Sequence, residues 1–93
     1  MKNYRSIAVI YGSDSSEWEV SVRSGEFTAS QIDGERYDVY EVFARFGKWS
    51  VAAYRLKGQE RVALAEAERP QVDKSYFSAI VAGSRIKFDF AYI

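Results

Sequence analysis

The chain has 93 residues, about one domain's worth and enough to bury one modest core. Apolar residues make up 47% and aromatics 16%, a balance that excludes an intrinsically disordered chain. Thirteen basic and 13 acidic residues cancel, with no basic stripe to suggest nucleic acid and no acidic tail to suggest a solvating segment. Cysteine and histidine are both absent. That removes disulfides and thiolate chemistry, and with them the commonest general base and metal ligand. Carboxylates, hydroxyls, Lys, Arg and backbone amides remain for chemistry. No apolar run approaches the roughly 20 residues that span a bilayer. The opening Met1-Lys2-Asn3-Tyr4-Arg5 leads into a run that reads as a strand and not as a signal peptide. The expectation is a cytoplasmic chain with no membrane partner.

Ile7-Ala8-Val9-Ile10-Tyr11, closed by Gly12, has the length and β-branched content of a buried strand. Ser13-Asp14-Ser15-Ser16 is a polar cluster suited to a tight loop. Ser16 with Glu19 predicts a capping box, and Glu17 and Glu19 put negative charge in the first helical turn. Trp18, Val22, Ala29 and Ile32 share one helical face, with Gly25 in the same row. Gly25 costs a helix about 1 kcal/mol relative to Ala, and its place there predicts a close approach to the sheet. Gly34 is the expected stop.

Residues 37–43 predict a second strand, with Tyr37, Val39 and Phe43 alternating with Asp38, Tyr40 and Val42. Phe46-Gly47-Lys48 turns into a third extended segment at 49–54. Residues 61–69 fit either a helix, from their Ala, Leu and Glu content, or a hairpin partner, and Pro70 ends the stretch either way. Residues 73–77 predict a capped turn or short helix. Residues 86–93 predict a final apolar strand, with Phe88, Phe90 and Tyr92 as core and Trp49 packed on the sheet edge. A strand apolar on both faces belongs inside a sheet, and ligands sit beyond the carboxyl ends of such strands. The expectation is therefore a piece of a longer protein, not a complete catalyst.

The most informative stretch is Ser15-Ser16-Glu17-Trp18-Glu19-Val20-Ser21-Val22-Arg23-Ser24-Gly25, which follows the first strand. Taken alone it is a helix N-terminus bearing a carboxylate at the carboxyl end of a strand, a common ligand position. It lacks the Gly-Lys-Ser/Thr of a P-loop, and only Gly12 of a dinucleotide fingerprint is present. The stretch resembles the N-terminal segment of the D-alanine–D-alanine ligases. Tyr37-Asp38-Val39-Tyr40, Gly47-Lys48-Trp49 and Phe88-Asp89-Phe90-Ala91-Tyr92-Ile93 resemble later parts of that segment, while residues 56–70 have no counterpart.

The resemblance implies an α/β fold: a three-layer, Rossmann-like domain with a mainly parallel sheet, of the kind that precedes an ATP-grasp fold. Residues 1–93 would form a single N-terminal substrate-binding domain, cut before the ATP-grasp domains and inactive alone. The implied reaction joins two D-alanines through an acyl phosphate for peptidoglycan precursors, in a homodimer. ATP and Mg (or Mn) would be bound outside this stretch. Glu17 matches the glutamate that holds the ammonium of the first D-alanine, Val20 the apolar residue beside its methyl, and Ser21 a serine near the same site. Two positions depart from the family pattern: Ser13 replaces a second glycine, and Trp18 is bulkier than usual.

Each of these residues also has a plainer reading. Glu17 can be a favourable first-turn charge, Val20 core, and Ser21 a hydroxyl bonded to a nearby carbonyl. The rival functions are a stand-alone flavodoxin-like or receiver-like interaction domain, for which Asp14 and Asp89 make a poor acidic set, and a ligase taking D-lactate or D-serine second.

Overall fold

The computed structural model describes residues 5–92, for Arg5 the backbone alone. Among these residues seven strands and one α-helix follow in the order β1 (Arg5–Tyr11), α1 (Trp18–Ser30), β2 (Tyr37–Arg45), β3 (Lys48–Arg55), β4 (Val62–Ala63), β5 (Ser78–Val81), β6 (Ser84–Lys87) and β7 (Phe90–Tyr92), with a 3₁₀ turn at Glu66–Glu68. Among the described residues no helix is long and apolar enough to cross a membrane.

Five strands form one sheet in the order β4-β3-β2-β1-β7, and β5 and β6 form a separate hairpin. The fold is α/β, as expected, but the sheet is mixed and not mainly parallel. β1 pairs parallel with β2 and with β7, whereas β2–β3 and β3–β4 are antiparallel. The reason is the turn after β2. Arg45 pairs with Lys48, and the two residues between them, Phe46 and Gly47, have φ of 53° and 77°. Positive φ at both central positions is the geometry that matches strand twist in a tight hairpin, so the chain doubles back instead of crossing over.

The sheet has different partners on its two faces. Val9, Tyr11 and Val39 face α1 and pack with its Ala29 and Val22, and with Ile32 just past the helix end. Ala8, Tyr40, Val42 and Val51 face the β5–β6 hairpin, whose Ala79 and Val81 join Val72 and Phe88 in the second core. The three layers are thus helix, sheet and hairpin. A Cβ on Gly25 would collide with the Tyr11 ring, so the glycine does allow the close helix–sheet approach its position predicted.

Several local expectations are corrected. The capping box does not form: α1 begins at Trp18, its N-cap is Glu17, and no side chain caps it. Ser15, not Ser16, makes the turn, its hydroxyl accepting the Glu17 N–H at 3.1 Å. The helix stops at Ser30, ahead of Gly34, and the Gln31 and Ile32 N–H groups close the end on Thr28 and Ala29 carbonyls. Residues 61–69 divide between β4 and the 3₁₀ turn, and Asp73 caps the next turn, its carboxylate accepting the N–H groups of Ser75 and Tyr76.

The predicted strand at 86–93 is two elements. Its first part pairs with β5, which the sequence reading missed. At Asp89 the chain changes partners: Asp89 donates its N–H to the Ser6 carbonyl, and its carboxylate accepts the Ser6 N–H at 2.9 Å. β7 then lies at the sheet edge, not in its interior. Phe88 is core, but Phe90 and Tyr92 are 53% and 57% exposed. Ile93 lies outside the described residues.

Candidate functional site

The carboxyl ends of β1 and β2 lie side by side, with Tyr11 opposite Phe43. The chain leaves β1 at Gly12, where φ is +100° and a Cβ would collide with the Ala44 carbonyl, so only glycine fits. Residues 13–17 then cross this end of the sheet into α1.

Glu17 stands at the N-cap, exposed, where the helix dipole favours negative charge. Its carboxylate makes no hydrogen bond or ion pair among the described residues, while its N–H is held by Ser15. Val20, one turn on, is 50% exposed and so does not belong to the core. Ser21 turns inward. Its hydroxyl accepts the Gly12 N–H at 2.9 Å and donates to the Gly12 carbonyl at 3.3 Å, tying the helix to the strand end. The bond therefore reaches across the loop and does not stay within the helix. All three residues thus sit on the first turn of one helix at one rim of the sheet.

Sequence reasoning missed Arg45. This last residue of β2 donates from one nitrogen, Nη1, to the carbonyls of Ser13 (2.6 Å) and Ser15 (3.1 Å). Its guanidinium lies 4.9 Å from the Trp18 ring centre and 4.5 Å from that of Phe46. In return, the Phe46 N–H is accepted by the Asp14 carboxylate at 2.5 Å. No spacing rule predicts this, because the contacts join residues about thirty positions apart.

Beside the rim, Tyr11, Trp18, Val22 and Phe43 line a cleft of about 360 Å³ that Glu26 and Arg61 close on the β4 side. Arg61 binds Glu41 with two bonds, Nε–Oε2 at 2.7 Å and Nη2–Oε1 at 2.9 Å, and Tyr11 donates its hydroxyl to the same carboxylate at 3.1 Å. Burial, then the charge of Glu41, raises the Tyr11 phenol well above its ordinary range. The hydrogen bond to Glu41 chiefly raises Arg61 in the same way. Both groups therefore keep their protons, and the network is structural in character. Among the described residues no group of three or more carboxylates could hold a metal ion.

No protein-family model matches the chain, and no solved structure does. Individual proteins do. The D-alanine–D-alanine ligase of Bacteroides thetaiotaomicron is 36% identical over 89 residues, 96% of this chain. That of Phocaeicola vulgatus is 37% identical over the same length, and that of Azobacteroides pseudotrichonymphae 36% identical over all 93 residues. In each case the match covers 24% of the relative, so the chain spans about a quarter of the length of the curated relatives it matches. The similarity thus spans residues 56–70 as well as Ser15–Gly25, and the chain is related along nearly all its length to one part of the D-alanine–D-alanine ligases.

Proposed function

We propose that these residues form the substrate-holding lobe of an ATP-dependent D-alanine–D-alanine ligase, with Glu17 gripping the ammonium of the first D-alanine. The observation that carries this reading is the exposed Glu17 carboxylate, unengaged among the described residues, at the N-cap of a helix that follows the first parallel strand. A carboxylate accepts charge-assisted hydrogen bonds from an ammonium, and these are shorter and stronger than neutral ones. Fixing one substrate in this way lowers the entropic cost of a two-substrate ligation.

In the same reading, Val20 offers an accessible apolar surface to the substrate methyl. Ser21 acts from behind, holding Gly12 so that the loop keeps its course. The domain is of the Rossmann-like type that precedes an ATP-grasp fold. It works in the cytoplasm, within a dimeric enzyme serving peptidoglycan synthesis. Among the described residues no three acidic side chains gather as a metal site would need, and the sequence lacks the Gly-Lys-Ser/Thr of a P-loop. In this reading ATP and metal belong to the three-quarters of the ligase length that this chain does not span.

The test is steady-state dipeptide synthesis by the ligase that carries this chain. Glu17→Gln keeps the shape and removes the charge, so kcat/KM for D-alanine is expected to fall on the order of 10- to 100-fold. KM for ATP should not move. Unchanged D-alanine kinetics in this variant would remove the amine-holding role. The 93 residues alone are expected to form no dipeptide.

A further inference from the structure

We propose that Arg45 is a positioning residue for Glu17, acting through a clasp between the β2–β3 turn and the loop at 13–17; the proposal rests on the amine-holding reading of Glu17. The clasp is reciprocal. Arg45 donates to the Ser13 and Ser15 carbonyls, and the Phe46 N–H donates back to Asp14. Three consecutive loop residues are thereby held from the hairpin. Ser15 passes the constraint on, its hydroxyl accepting the Glu17 N–H at 3.1 Å and its carbonyl the Trp18 N–H at 3.3 Å. Arg45 makes no ion pair with Glu17 among the described residues, so its influence runs through the loop.

The chemistry of the contact asks for arginine. A planar guanidinium can lie against the Trp18 and Phe46 rings while its N–H bonds reach carbonyls beside it, which a lysine ammonium on a flexible stem does less well. Ser13 and Trp18 are both partners of Arg45, one by its carbonyl and one by its ring. Trp18 also packs edge-on against Phe43, at 5.9 Å between ring centres, so its ring is seated between the strand and the guanidinium.

The contacts are exposed or only part-buried, so water can replace a lost donor. Removing Arg45 should therefore loosen the loop without unfolding the protein, and the loss should fall on substrate orientation. The experiment is again dipeptide synthesis by the ligase that carries this chain, with Arg45→Met, Arg45→Lys, Glu17→Gln and the double variant R45M/E17Q. R45M is expected to raise KM for D-alanine about five- to tenfold, with kcat and KM for ATP within about twofold. R45K should fall between wild type and R45M.

Because Arg45 acts through Glu17, adding R45M to E17Q should change KM by less than about twofold. Unchanged D-alanine KM in R45M, or multiplying effects in the double variant, overturns the clasp. If R45M does not fold, Asp14→Ala, which cuts the other half, must show the same KM pattern, and its silence overturns the proposal equally. A silent R45M beside an impaired E17Q sinks the clasp alone. A silent E17Q sinks the amine-holding reading and the clasp with it.

Discussion

Glu41 is the most deeply buried carboxylate among the described residues, 3% exposed in the middle of β2, and it is there because Arg61 and Tyr11 surround it. A buried charge that loses its partner is costly, whereas a partner near solvent loses less. Arg61 is 43% exposed, so its removal leaves the worse orphan. Arg61→Met is expected to destabilise the chain by about 2 kcal/mol, reduced from the fully buried case by solvent screening. Glu41→Gln should cost less, about 1 kcal/mol, because an amide still accepts from Tyr11 and the freed guanidinium reaches water. Urea denaturation of both variants checks the order, and the reverse ranking would mean that the pair is not held as described.

Tyr11 adds a pH dependence. Its folded pKa lies above its ordinary value of 10.0, chiefly through burial. Above pH 10 the unfolded chain releases this proton and the folded chain keeps it, so the native state binds more protons and stability falls as pH rises. The expected slope is about 1.4 kcal/mol per pH unit from this group, with no contribution below pH 9. Tyr11→Phe should flatten that part of the curve. None of this network was legible in the sequence, since Tyr11, Glu41 and Arg61 are brought together by the sheet and Glu26 joins Arg61 from the helix.

At the scale of elements, the strand, loop and helix order from β1 to α1 was readable, and the helix start was not. A capping box depends on local chemistry alone, but the loop here is fixed from outside by Arg45 and from within by Ser15, which leaves Ser16 no cap to fill. Periodicity fared better, because a helical face reports what the sheet will contact. Gly25 is the clearest case. Replacing it with Ala should gain about 1 kcal/mol of helix propensity, but the new methyl meets the Tyr11 ring. That ring cannot easily give way, since its hydroxyl is bonded to Glu41. The net expectation for Gly25→Ala is a loss of about 1–2 kcal/mol, overpacking outweighing propensity. A more stable variant in thermal denaturation would show that α1 sits farther from the sheet than described.

At the scale of the whole molecule, the layers explain why the last eight residues misled. Apolar content alone made Phe88, Phe90 and Tyr92 equivalent, and tertiary context separates them. Phe88 N–H is accepted by the Phe77 carbonyl, and its ring packs 5.0 Å from Phe77 and 5.4 Å from Tyr40, so it joins the hairpin layer to the sheet. Two residues later Phe90 has crossed to the sheet edge and is half exposed. A hydrophobic run cannot announce such a switch. Only Asp89, a polar residue inside the run, marks the place where the chain leaves β5 for β1. In the 93-residue chain Phe88→Ala should cost about 3–4 kcal/mol, the range for emptying a packed aromatic site, and Phe90→Ala less than about 0.5 kcal/mol, as for exposed positions. Denaturant midpoints for the two variants decide the matter. Equal losses would mean that both rings share one interior, and the division of the chain's end between hairpin and sheet would have to be redrawn.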